Sequence, residues 1–336
     1  MPIVQDRRTF VAGLAAAGTA GLIGTSTPAW AEPPPETSTA RFADFTGGSC
    51  IAPQYIAEGL LRGEGFTDFS YVPVGNEATA AALIAKNEAD FGLDFASALV
   101  VAVDTGVRLK GLGGVHVGCW ELIAHEGINS VTDLKGKSVG VGPALGSDPH
   151  LFVSAMASYV GLDPSRDINW VPSDTNPIQL FAEHKIDALL AVALEVQEMR
   201  ERKLGHVVVS GISDRPWSQY FCCILIARAD YVERYPIATK RVLRAILKGA
   251  DVCVSNPEIV ARQLVDGGHT DNYEYTVRML TEIPYASWRE FDPEDSVRFF
   301  SLRLHEAGLV KTSPEKIIAA GTDWRFLNEL KREMKT

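Results

Sequence analysis

Ser147, Asp148 and His150 follow the apolar run SVGVG at the start of a helix-like stretch, and Glu195 follows a second apolar run, IDALLAV. A hydroxyl, carboxylate or imidazole at such a junction can hydrogen-bond a ligand, and it can equally cap its own helix. His116 stands beside Gly118 and Cys119, a pairing that invites a metal reading, but no second ligand lies at useful spacing, so no metal site is expected. The five cysteines (50, 119, 222, 223 and 253) form no C-x-x-C pair and no regular framework. They read as buried small hydrophobes, with at least one thiol left unpaired by the odd count. Trp217 and Tyr220 can stack on a ring, or serve as core aromatics. No nucleophile–base motif, zinc motif or phosphate loop is present, and the glycines of GLGGV at 111–115 end a strand without opening a helix. The chain is therefore expected to bind a molecule rather than transform it, with no cofactor.

The elements that would position these residues alternate strand and helix, the pattern of an α/β fold. Apolar runs predict strands at 40–45, 69–74, 89–95 and 109–115, and then, after the short helix and Lys-Gly turn of VTDLKGK, at 138–142, 168–172, 186–192 and 206–210. YFCCILIAR reads as a strand buried on both faces. Helices are expected after Pro53, from an Asn76 cap to Lys86, from Ser147 or Asp148 to Gly161, at 177–185 and at 195–203, and almost continuously from Asp230 onward. This predicts lobe one at 38–135 and 225–336, lobe two at 136–222, and a two-crossing hinge near 125–135 and 219–226. Ligands of open α/β sheets bind beyond the C-terminal strand ends. That rule adds Gly47, Gly48 and Ser49, then Asn76 with Glu77, then Phe95 and Ser97, and finally His116 to the ligand-facing set.

The ends and the composition narrow the class. Arg7 and Arg8 open an RRTFV run, a weakly apolar Val11–Ile23 stretch follows, and Ala29, Trp30 and Ala31 form an A-x-A pattern. This predicts a secretory signal cleaved after Ala31, of the twin-arginine type, the alternative being a Sec signal that happens to carry two arginines. Residues 32–37 read as a flexible leader. The roughly 300 residues beyond are too many for one small core and suit two lobes. The formal charge is −10, and losing Asp6, Arg7 and Arg8 would make the remainder slightly more acidic. An acidic chain with no basic run argues against nucleic acid and anionic membrane as partners. A soluble monomer in the periplasm is expected.

DLKGKSVGVG followed by a Gly-Ser-led helix, the IDALLA strand, and ATKRVLRAILKGAD after Tyr235-Pro236 together resemble the nitrate/sulfonate/taurine group of ABC-importer binding proteins, which includes proteins similar to the thiamine-pyrimidine synthase of yeasts. The resemblance implies a type II periplasmic-binding fold with a helical C-terminal extension, a small-molecule ligand and an inner-membrane ABC permease as partner. It also suggests a sulfonate- or taurine-type solute. The loops argue otherwise, because they carry Glu77, Asp148 and Glu195 with no Arg or Lys, which disfavours an anion. A neutral, zwitterionic or nitrogen-heterocyclic molecule fits better. Two other roles compete: a synthase-like enzyme, which would need more than the adjacent pair Cys222-Cys223 and a base beside it, and a solute-presenting input for a sensor protein.

Overall fold

The run FCCILIA builds the centre of the first sheet, because a segment apolar at every position can only be satisfied with both faces covered. In the computed structural model, which describes residues 32–45, 49–75 and 79–334, the chain divides into a short N-terminal unit, residues 1–34, and a body, residues 35–336. The predicted signal, and with it Arg7, Arg8 and the Ala31 cleavage site, lies outside the described residues, as do Gly47, Gly48 and Asn76.

Within the body, sheet one contains β1 (Thr39–Asp44), β2 (Asp68–Pro73), β3 (Phe91–Phe95), β4 (Leu109–Val117) and β10 (Phe221–Arg228) in the order β2-β1-β3-β10-β4. Sheet two contains β5 (Trp120–Ala124), β6 (Ser138–Gly140), β7 (Asn169–Val171), β8 (Ala188–Val192) and β9 (His206–Ser210) in the order β7-β6-β8-β5-β9. The plans match. Each sheet has three strands in parallel pairings, and one strand inserted antiparallel beside the strand from which the chain leaves: β10 next to β4, and β5 next to β9. Gly114 permits the first insertion, since a Cβ there would sit 2.4 Å from the Phe221 ring. Two α/β layers of this kind, followed by a helical C-terminal region, make the type II periplasmic-binding fold expected from the sequence.

Two expectations need correction. The sequence reading missed β5, whose residues WELIA were placed in lobe one; they pair with β8 and β9 in sheet two. The first crossing is therefore at Gly118–Cys119 rather than 125–135, and the return runs through 211–220, with Phe221 and Cys222 already in sheet one. The helix expected from an Asn76 cap starts later, as α2 (Ala80–Ala85), where the Thr79 side chain accepts from the Ala82 amide at 3.2 Å.

The helices that bear on the site begin at strand ends: α1 (Ala52–Gly63), α3 (Ala96–Asp104), α4 (Asp148–Tyr159) and α6 (Leu194–Glu201). Proline in the first turn of α1 and α4 fits, because the amide it lacks has no partner inside the helix. The short α5 (Pro177–Ala182) covers sheet two. The C-terminal part is α7 (Ala229–Arg234), α8 (Pro236–Ser255), α9 (Pro257–Asp266), α10 (Tyr273–Glu282), α11 (Pro293–Glu306), α12 (Pro314–Gly321) and α13 (Arg325–Glu333). No helix among the described residues is long and apolar enough to cross a membrane.

An aromatic seam joins the two layers. Phe152 of α4 meets Phe95 at 5.5 Å and Phe300 of α11 at 4.8 Å between ring centroids, and Trp120 at 4.6 Å. On another side Arg200 of α6 pairs with Glu282 of α10 at 2.8 Å and with Glu121 of β5. One apolar core runs through both sheets, and a second, smaller cluster around Phe181 packs on sheet two.

Candidate functional site

The site forms where the strand ends of the two sheets meet around a cluster of thiols. Cys50 lies in the short turn Ser49–Ile51 that leads into α1. His116 stands near the end of β4, and Cys119 at the first crossing follows Gly118. β10 starts beside that point and runs antiparallel to β4, so Cys223 pairs with His116, and the register shifts on both sides of Cys223. The result is that one ring nitrogen of His116 and the sulfurs of Cys50, Cys119 and Cys223 all lie within 4.8 Å of one another, all buried. Cys222 lies alongside: its sulfur is 3.4 Å from that of Cys119 and 3.3 Å from His116 Nδ1, and its thiol donates to the Gly118 carbonyl. All five cysteines are free and buried. Tyr285, fully buried, donates its hydroxyl to the Cys50 carbonyl at 3.0 Å and sets its ring edge-on to His116.

The electrostatics single out one thiol. Hydrogen bonds from Cys119 and Cys223, reinforced by His116, hold Cys50 well below the ordinary thiol range. Burial pushes Cys119 and Cys222 up, and the hydrogen bond to Cys119 does the same for Cys223. The cluster thus favours one thiolate stabilised by its neighbours.

Three carboxylates belong to this region. Asp94, near the end of β3, accepts from the Ala81 amide at 2.8 Å and the Phe95 amide at 2.9 Å, yet burial pushes it to about 7. Asp148 opens α4; burial raises it well above its usual range, and the charges of Asp94 and Cys50 add to the effect. Glu195, in the first turn of α6, accepts from the Val192 amide at 2.9 Å and is pushed to about 7, mainly by burial, with Glu198 and Cys50 adding to it. Asp148 and Glu195 thus stand at helix starts that follow strands of sheet two, and Asp94 near a strand end of sheet one. Gln54 Oε1, Ser97 Oγ, His116 Nε2, Asp148 Oδ1 and Ser154 Oγ are all buried without a hydrogen-bond partner. A buried polar atom left unpaired costs about 1–3 kcal/mol, so each of these atoms is a candidate to meet a ligand's polar group.

The sequence-derived residues divide. His116 joins Cys50 in the thiol cluster, Asp148 opens α4, Glu195 stands in the first turn of α6, and Ser97 and Phe95 follow Asp94 at the same strand end. Ser147 turns inward instead, its hydroxyl donating to the Val141 carbonyl at 2.5 Å. His150 is a brace: Nδ1 accepts from the Gly146 amide at 3.0 Å and the ring packs edge-on against Trp170. Trp217 is a seam aromatic between Trp120, Tyr159 and Phe299, and Tyr220 stacks on Phe299 at 4.1 Å. Ser49 begins the turn that carries Cys50. Asp94, Tyr285 and the gathering of Cys50 with Cys223 were missed. Asp94 had a visible signal, a carboxylate inside the apolar run FGLDF.

Comparison with known proteins places these observations. Residues 53–259 match the model of the family described as NMT1/THI5 like. A Brucella abortus protein, described only as a candidate binding protein, is 31% identical over 137 residues, 41% of this chain and 42% of that one. The chain thus aligns with about two-fifths of the length of that relative. Among solved structures, the periplasmic nitrate-binding protein NrtA of Synechocystis PCC 6803 superposes with a TM-score of 0.72 at 14% identity, over 90% of each chain. The alkanesulfonate-binding protein SsuA of Xanthomonas axonopodis pv. citri, bound to MOPS, gives 0.67 at 15% identity, over 88% of this chain and 99% of that one. At these identities the likeness is one of fold.

Proposed function

The chain belongs to the NMT1/THI5-like family, and from that premise we propose that it is a periplasmic solute-binding protein of the ABC-importer type, closing two lobes on one small organic molecule and delivering it to a membrane permease. The observation that carries the reading is the pair of like-planned sheets joined by two crossings, with Asp94 near a strand end of sheet one and Asp148 and Glu195 at helix starts that follow strands of sheet two. Two lobes joined by two crossings can open to admit a solute and close to exclude water. The fold shared with the nitrate- and alkanesulfonate-binding proteins supports the same reading.

The ligand we infer differs in charge from nitrate or a sulfonate. Among the described residues named here, the ionisable groups other than thiols are carboxylates, one imidazole and the Tyr285 phenol, with no Lys or Arg. A sulfonate would find no bidentate guanidinium partner and no positive side chain among them. A neutral, zwitterionic or nitrogen-heterocyclic molecule would offer N–H groups to these acceptors. Screening a solute library by thermal shift tests the proposal: one-site stabilisers that are recovered unchanged are expected. Consumption of a stabilising compound by the protein alone would replace the binding reading with an enzymatic one.

A further inference from the structure

We propose that Cys50, His116, Cys119 and Cys223 form a binding site for a single zinc-class ion, at the point where the chain first crosses between the lobes. The four donors come from four separate places: the turn before α1, the end of β4, the crossing and the start of β10. Their ligating atoms already lie within 4.8 Å of one another. A tetrahedral ion with Zn–S bonds of about 2.3 Å holds its sulfurs about 3.8 Å apart, so shifts of well under an ångström per side chain close the shell.

Two further observations point to an ion. His116 is fully buried, its Nε2 has no hydrogen-bond partner and its Nδ1 lies 3.3 Å from the Cys222 sulfur, so the ring keeps a nitrogen that a coordinate bond could use. The surroundings also brace the donors as an outer shell would. Tyr285 holds the backbone of Cys50, and Cys222 binds the Gly118 carbonyl next to Cys119.

The donor set names the class. Three sulfurs and one imidazole suit a borderline-soft cation, while calcium and magnesium require oxygen ligands. Four protein donors leave no open position, so the ion would be structural, tying the first crossing to the α1 turn and to β10. The inference stands whether or not the protein serves a transporter. The competing state is a disulfide between Cys119 and Cys222, whose sulfurs are 3.4 Å apart; it would remove one ligand.

Cobalt(II) titration of the reduced, metal-free full chain tests the site. We expect saturation at one equivalent, with the intense visible bands of a tetrahedral ion and thiolate charge-transfer absorption, both bleached by zinc(II). H116Q and C223S, with their folds checked by circular dichroism, should each weaken cobalt binding at least tenfold and change the spectrum, whereas C253S, whose thiol lies apart in α8, should leave both unchanged. Should C223S fail to fold, H116Q alone decides, since its amide approximates the size of the ring. Absence of the tetrahedral bands in the wild-type chain, or wild-type spectra in a folded H116Q or C223S, would overturn the proposal. So would a Cys119–Cys222 disulfide found by mass spectrometry as the sole state of the protein isolated without reductant from its native compartment.

Discussion

The backbone amide of Ala193 donates to the carbonyl of Cys119 over 2.6 Å, and both residues hold positive φ, 45° and 77° respectively. Neither is glycine, and each such conformation costs on the order of 1–3 kcal/mol. The strain is placed where it sets geometry: Cys119 turns the chain into sheet two, and Ala193 sets the direction in which α6 presents Glu195.

Ala193→Gly should therefore stabilise the protein by about 1 kcal/mol, relief of strain outweighing the extra entropy of the unfolded chain. Gly118→Ala should destabilise it, because φ is +72° there and the new Cβ would lie 2.6 Å from Ile212 Cγ1. Urea unfolding measures both. A less stable Ala193→Gly variant would show that the conformation carries no strain.

The buried carboxylates predict an unusual pH profile. Folding raises Asp94 from 3.8 and Glu195 from 4.5, each to about 7, so the native state binds protons that the unfolded chain has released. Stability from these groups is complete below about pH 4 and is lost as pH rises through 7. Thermal melts of the ligand-free protein should show falling stability from pH 5 to 8, at a slope of up to about 1.4 kcal/mol per pH unit for each group. Glu195→Gln should flatten that slope, and an unchanged slope would place the titration elsewhere.

Ligand charge can be read from the same variant. For a solute that donates N–H groups, Glu195→Gln should weaken binding about tenfold or more, a charged hydrogen bond being worth about 1.5–3 kcal/mol. With a sulfonate, removing the charge should tighten binding. Calorimetry decides by sign, and tighter binding would reverse the ligand assignment.

Export is tested at the N-terminus. With Arg7→Lys and Arg8→Lys together, precursor should accumulate in the cytoplasm if the leader is of the twin-arginine type. Undiminished periplasmic yield would exclude that route and leave the Sec route.

The sheets were legible because their strands are short apolar runs bounded by turns, and FCCILIA announced its central place by lacking polar positions before Arg228. β5 escaped because WELIA follows GGVHVGC with only Gly118 and Cys119 between two apolar runs, so the crossing looked like a continuation. The thiol cluster escaped for a different reason. A search by spacing finds ligands supplied by one hairpin or helix, whereas Cys50, His116, Cys119 and Cys223 meet only after β10 has been inserted beside β4. The positions of Asp148 and Glu195 at helix starts were accessible because a helix start after a strand is a local feature. Trp217 and Tyr220 share those local cues, and only packing against Phe299 separates a seam aromatic from a ligand platform.

The late arrival of β10 also orders the birth of the molecule. β3 and β4 are not neighbours in the finished sheet, since β10 lies between them. A chain made from its N-terminus must hold both with open edges from the end of β4 at Val117 until Phe221 emerges. Sheet two, contained between Trp120 and Ser210, can be completed within that interval. The lobe begun first is thus the one finished last, and for that time β3 keeps an open edge and β4 has no strand partner. A strand from another newly made copy could pair with that open edge, so synthesis at high local concentration favours strand exchange between copies, and dilution or a chaperone covering the edge disfavours it.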